Sequence, residues 1–295
     1  MSSGVLPVRP VVTEAGTIRK TARGLGASAG KHGLLLLGSA LFGFPFFWML
    51  STALKAGPDT FKLPPTLFPD PIVWSNFGLA ISSADLWTGL FNSVFLVLVN
   101  GVGQLLVCSI VAYSFARLHW PGRDFCFVLL LATMMLPDIV TMVPLFILYK
   151  QLGWVNSFLP LTVPAFFGHP FYIFLLRQFY TTIPKELDDA ARIDGASVPM
   201  VWVRIMLPLI GPALAAVAIF TFRATWNDFM GPLIYLDNPK LRTMALALWS
   251  FRQEQGVEWN LLMAASTMMV IPVAAVFFLF QRYFTQGITL TGIKG

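Results

Sequence analysis

Eight polar or ionisable residues stand in or beside otherwise apolar stretches: Asn92, Asn100, Gln104, Asp138, His169, Tyr172, Asn227 and Asp228. In hydrocarbon such a group is costly unless it bonds to protein or faces a water-filled path, so each marks either a translocation route or a packing contact. The amides, His169 and Tyr172 could hydrogen-bond the hydroxyls of a polyhydroxy solute, or could bond between helices, as polar residues in membrane bundles commonly do. Asn100 and Gln104 are four apart and share a helix face. Asp138 follows Pro137, so it either gates a path or lies close enough to the outer interface for water to solvate it; Asp228 carries the same two readings. His169 precedes Pro170, where it is placed to bond helix backbone that the proline frees. Arg223 either snorkels or pairs with an acid on a second chain.

Bond-making chemistry has no footing in the sequence. It holds no paired carboxylates, no nucleophile elbow and no Gly-Lys-Ser/Thr phosphate loop. Cys108 and Cys126 stand in separate apolar blocks without metal-ligand spacing and read as packing residues, so no metal site and no resident cofactor are expected. The net charge of +6 comes from Lys and Arg scattered among loops rather than from a basic stripe interleaved with aromatics, which argues against a nucleic-acid partner.

These residues need a scaffold, and the composition points to one in lipid. Of the 295 residues 56% are hydrophobic and 12% charged, against about 25% charged in soluble domains. Apolar blocks long enough to cross a hydrocarbon layer fall at roughly 33–54, 88–115, 124–149 (interrupted by Pro137 and Pro144), 158–182, 207–233 and 260–284. Backbone polar groups in lipid must bond internally, so the expected fold is all-α, a polytopic membrane protein with six transmembrane helices. Residues 1–32, rich in Gly, Ser, Thr and Arg, read as a flexible cytoplasmic tail, and residues 33–295 as one membrane domain. Thirteen of the twenty Lys and Arg residues fall on one side if both termini are cytoplasmic, and six on the other, which sets that orientation. The outer segments 56–87 and 234–259 are too long for tight turns and read as loops or as a docking surface.

The segment 184–208 is too charged to span and too patterned for a plain loop. Pro184 suits a first helical turn, and Glu186, Asp188 and Asp189 favour the positive end of the helix dipole. Ala190 and Ala191 leave a low packing surface. Between Asp194 and Ala196, Gly195 is placed to end the helix in a left-handed cap, and Ser197 to cap the next. Val198, Val201, Trp202 and Ile205 then recur at helical spacing as an apolar face.

At this segment the sequence resembles the permeases of binding-protein-dependent importers, whose cytoplasmic loop reads Glu-Ala-Ala, three residues, Gly, nine residues, then Ile-x-Leu-Pro. Asp189, Ala190, Ala191, Gly195, Ile205, Leu207 and Pro208 fit that spacing, with Asp189 one methylene short of the family's Glu. Pro45 to Lys55, Ala112 to Leu118, Met134 to Pro137, Trp226 to Phe229 and Gly292 to Gly295 resemble the carbohydrate branch, its maltose-type second permease. The resemblance implies a coupling helix that seats in an ATPase subunit, with its acid paired to a base there. Asp189 would make that pair, or Glu186 or Asp188 would share it. It further implies a homologous permease as heterodimer partner, two ATPase subunits that carry ATP and Mg, an external sugar-binding protein, a bacterial or archaeal cytoplasmic membrane, and tail contact near Lys294 and Gly295. The chain itself is then not an enzyme. A secondary transporter driven by an ion gradient is the alternative, expected to place several ionisable groups and broken helices at midplane; a membrane scaffold is a third reading.

Overall fold

The computed structural model describes residues 14–253 and 256–292, with side chains described for 30–137, 139–251 and 257–281. The chain is built from helices: α1 (Glu14–Ala53), α2 (Ser75–Ser83), α3 (Leu86–Arg117), α4 (Arg123–Thr133), α5 (Asp138–Gln151), α6 (Leu159–Thr162), α7 (Pro170–Thr182), α8 (Glu186–Ile193), α9 (Val198–Val201), α10 (Leu207–Leu209), α11 (Gly211–Trp226), α12 (Met230–Tyr235), α13 (Met244–Trp249) and α14 (Trp259–Gly292). Among the described residues the strands amount to one antiparallel pair, Arg252–Gln253 with Gly256–Val257.

Among the described residues, four stretches are long and apolar enough to cross a membrane, 30–53, 86–117, 159–182 and 259–281, and a fifth if Val198–Leu209 and Gly211–Trp226, meeting at 80°, make one broken span. The third expected block is not one helix. Pro137 bars helical backbone in the residue before it, and after α4 stops at Thr133 the chain tightens to i→i−3 bonds from Met134, Met135 and Leu136. Pro144, expected to interrupt as well, lies inside an unbroken α5. The fourth block contains a short non-α turn at Val163–Phe167 and a left-handed Gly168 before α7 resumes at Pro170. The fifth is broken at Ile210 and again after Trp226. The backbone of 14–32 is helical and continuous with the first span, because elongating an existing helix avoids the cost of nucleating one. Residues 1–13, and the ending with Lys294 and Gly295, lie outside the described residues.

Two clusters form the interior. The larger joins α3, α7, α8 and α11 through Cys108, Tyr113, Leu176, Tyr180, Ala191 and Val217. The smaller joins the end of α1 to α2, α13 and α14 through Ala53, Ala80, Met244 and Ala264. The outside is apolar too: Leu37 is 69% and Phe42 79% exposed, as expected where the solvent is lipid. The outer segment 56–87 is stitched down rather than loose. Asn76 donates to the carbonyls of Ala53 and Lys55 at 2.8 and 2.7 Å, and the buried Lys55 ammonium reaches the Thr66 carbonyl at 2.6 Å.

Candidate functional site

The segment 184–208 folds as two helical pieces joined by a bend, as its sequence predicts. Gly195 has φ +81°; its N–H donates to the Arg192 carbonyl at 3.0 Å and that of Ala196 to the Ala191 carbonyl at 2.9 Å, a complete Schellman cap that stops α8. Ser197 stands at the N-cap of α9 with extended backbone, but its side chain makes no capping bond. Pro199, the second residue of that helix, removes one of the two N–H groups an N-cap oxygen can accept from. A π-type turn, Trp202–Met206, carries the chain into α10. Val201 is buried and Trp202 and Ile205 pack beside it on the larger core, whereas Val198 is exposed, so three of the four expected apolar positions are used.

The three acids of α8 separate by burial. Asp188 points inward: its Oδ2 lies 3.4 Å from Arg117 Nε, with both side chains less than one-tenth exposed, and Tyr113 donates its hydroxyl to Oδ1 at 3.5 Å. The Arg117 Nε–H is not aimed at the carboxylate; the directed bond of that guanidinium runs from Nη2 to the Ile183 carbonyl at 2.5 Å. Asp189 and Glu186 are exposed. Of the two alanines, Ala191 is inside and Ala190 outside. Beside Asp189 and Ala190 on the outer surface stands Ile193, 87% exposed, with Leu187 at 41%. Ile205, Leu207 and Pro208 lie beyond the bend, Ile205 serving the core and Pro208 exposed.

Of the eight polar candidates, Asn100 and Asp228 meet at one recess, and His169 and Tyr172 lie against each other. Asn100 and Asp228 line a recess of about 290 Å³ between α3 and the end of α11, with Thr225, Leu96, Leu161, Ala224 and Pro232. Asn100 donates to Thr225 Oγ1 at 3.3 Å, and its own Oδ1 is buried with no hydrogen-bond partner in the chain. Asp228 accepts the Gly231 N–H at 3.0 Å. A Cβ on Gly231 would stand 2.5 Å from Asp228 Oδ2 and 2.9 Å from Leu161 Cδ2, so only glycine lets that carboxylate sit where it does. The others are placed elsewhere. Asn92 donates to the carbonyls of Lys240 and Arg242, both at 2.9 Å, and so holds an outer loop. Gln104 accepts from Cys108 Sγ at 3.1 Å, and Asn227 donates to the Arg223 carbonyl at 2.9 Å. His169 stands at the N-cap of α7 without a side-chain capping bond; its ring lies 4.6 Å from the Tyr172 ring, and its carbonyl accepts the Ile173 N–H. Asp138 opens α5, and its side chain lies outside the described residues. Tyr113, Arg117 and Thr225 are the residues that sequence reasoning missed as site members.

A family profile described as binding-protein-dependent transport system inner membrane component matches residues 104–290. The arabinooligosaccharides transport system permease protein AraQ of Halalkalibacterium halodurans is 36% identical over 269 residues, covering 89% of this chain and 96% of that protein. The diacetylchitobiose uptake system permease protein DasC of Streptomyces coelicolor is 31% identical over 255 residues (85% and 92%), and the sn-glycerol-3-phosphate transport system permease protein UgpE of Yersinia enterocolitica 33% over 265 (87% and 94%). A chain in the crystal structure of a bacterial ABC transporter involved in import of the acidic polysaccharide alginate superposes with a TM-score of 0.77 at 21% identity, covering 94% of this chain and all of that one.

Proposed function

The chain belongs to the binding-protein-dependent transport system inner membrane components, a multi-pass membrane family, and from that membership we propose that it forms half of an ATP-driven pathway for a di- or oligosaccharide or related polyol. Pairing with a homologous permease would complete the pathway, an external binding protein would deliver the solute, and two ATPase subunits holding ATP and Mg would supply the work. In this reading α4 and α5 are one span broken at Pro137, and the bent fifth block is another, giving six with both termini on the basic, cytoplasmic side.

The observation that carries the proposal is the outer face of α8. Asp188 is consumed internally, so Asp189 is the acid available to a base on the ATPase, with Glu186 as a neighbour, and the exposed Ile193 offers an apolar side chain that no part of this chain covers. An exposed isoleucine beside a fixed charge suits a socket on a partner. ATP-driven closure of the ATPases would move α8 as a rigid piece, and the recess around Asn100, Thr225 and Asp228 lies in the pathway that opens.

The test is co-purification of the ATPase with the permease pair, comparing wild type with Gly195→Trp. A Cβ at Gly195 meets nothing within 4 Å, so the indole projects into the docking space, and the left-handed backbone adds only about 1–2 kcal/mol of strain. Loss of the ATPase from an intact permease pair is expected. Unchanged assembly, with sugar uptake that follows an ion gradient instead of ATP, sinks the proposal.

A further inference from the structure

Between α8, the ends of α3 and α7 and the start of α4 lies a hollow of about 280 Å³ with an unusual charge balance. Five permanent cations line it: Arg117, Arg123, Arg177, Lys185 and Arg192. Two of these are answered, Arg117 by Asp188 and Arg123 by Asp124 at 2.8 Å. Arg177, Lys185 and Arg192 form no ion pair among the described residues, and the remaining carboxylate of the lining is Asp189. Three cations against one carboxylate leave two positive charges uncompensated, the complement of a phosphate.

Arg177 is the best placed of the three. It is half-buried, its guanidinium carbon lies 4.1 Å over the centroid of the Phe127 ring, and its Nε is buried without a hydrogen-bond partner. Stacking on Phe127 fixes the plane of the guanidinium, and a planar, oriented fork suits phosphate oxygens. The hollow has room for a phosphate group with its first waters, each water taking about 30 Å³. It also borders lipid: α4 starts at its rim and exposes Phe125, Val128 and Leu129 along its length. Basic hollows between membrane helices at the cytoplasmic face are where phosphate headgroups bind.

The geometry points to a phosphate-binding site formed by Arg177, Lys185 and Arg192, which would take the headgroup of an anionic phospholipid or a free phosphate monoester. The ligand bridges the end of α7 to α8 and so stiffens the element that carries the coupling residues.

The test is native mass spectrometry of the complete complex, purified in neutral detergent and titrated with phosphatidylglycerol or phosphatidylcholine, for wild type, Arg177→Gln and Arg177→Lys. Removing one headgroup-facing cation should lower phosphatidylglycerol retention roughly fivefold in Arg177→Gln, with partial recovery in Arg177→Lys and no change for phosphatidylcholine. An unchanged melting temperature separates this loss from misfolding. Competition by inorganic phosphate distinguishes the sources: displacement supports a free phosphate, resistance supports a lipid headgroup. Equal phosphatidylglycerol retention in all three chains overturns the site. So does phosphatidylglycerol that binds only after the ATPase has been stripped away, because the cations would then belong to a protein contact.

Discussion

Asp188→Asn isolates the inward-facing acid of α8 from the outward-facing one. The substitution keeps the shape of the side chain and an oxygen to accept the Tyr113 hydroxyl, so it deletes only the charge facing Arg117, whose side chain is 3% exposed. Removing one partner of a buried pair costs about 3–5 kcal/mol, since it strands the other charge. The lower end applies here, because Arg117 keeps its bond to the Ile183 carbonyl and its contact with Asp188 is not an aligned hydrogen bond. About 3 kcal/mol corresponds to a fall of roughly 6–12 °C in unfolding temperature for a chain of this class, measured by a thiol-reactive or scattering assay in detergent at one fixed scan rate. Asp189→Asn, one residue along and exposed, should shift it by less than about 2 °C. The double variant Arg117→Met/Asp188→Leu should recover most of the loss, because an apolar pair of similar volume replaces the ions without stranding either. If Asp188→Asn melts with wild type, or if both single variants fall equally, the division of labour on α8 is wrong.

Ile193→Glu places a charge on the exposed tip of α8, and it should cut the ATPase recovered with the permease pair by at least tenfold while leaving the melting temperature within about 1 °C, read by affinity pull-down and thermal scan. Gly231→Ala forces its new methyl group against Asp228 Oδ2 and Leu161 Cδ2, so the carboxylate must swing out of the recess. ATP-dependent sugar uptake in proteoliposomes should fall severalfold with assembly unchanged, and uptake at the wild-type rate would remove the recess from the pathway.

The spans were legible because lipid imposes one requirement on every residue of a block, and a run of Leu, Phe and Val reports it without reference to any partner. Their interruptions were less so. Pro137 follows the break after α4 while Pro144 sits inside α5, so the presence of a proline alone does not locate an interruption. Gly195 was readable because a left-handed cap is a local event, whereas Ser197 takes the N-cap position without making the capping bond. The partition of Glu186, Asp188 and Asp189 was out of reach, since it depends on Arg117 and Tyr113 arriving from a distant helix. In sequence Arg117 is one more cation on the basic side, and nothing in Ala112 to Leu118 says which of its neighbours will be an acid. The recess was half legible: Asn100 and Asp228 were visible as polar residues in apolar stretches, but only the packing of α3 on α11 puts them together and adds Thr225.

The helix α3 ties the two halves of the site to each other. Near its C-terminal end Arg117 and Tyr113 contact Asp188, and seventeen residues earlier Asn100 faces the recess, a separation of about 25 Å at 1.5 Å per residue. The α8 segment cannot slide freely against this end: Ala191 is packed in the same core as Tyr113 and Tyr180, the Schellman cap closes its far end, and withdrawing Asp188 would strand a buried guanidinium. In the proposed function, a push on the exposed face of α8 would therefore pass to α3 as well as to the helices that follow α8 in the chain. Asn100 has its Oδ1 buried without a partner and is held through a single bond to Thr225 on α11, so a small rotation of α3 relative to α11 alters the polar contacts that line the recess. Coupling of the proposed kind would need a stiff connection at one end and a weakly held contact at the other, and α3 carries a buried ion pair at one end and the singly bonded Asn100 toward the other.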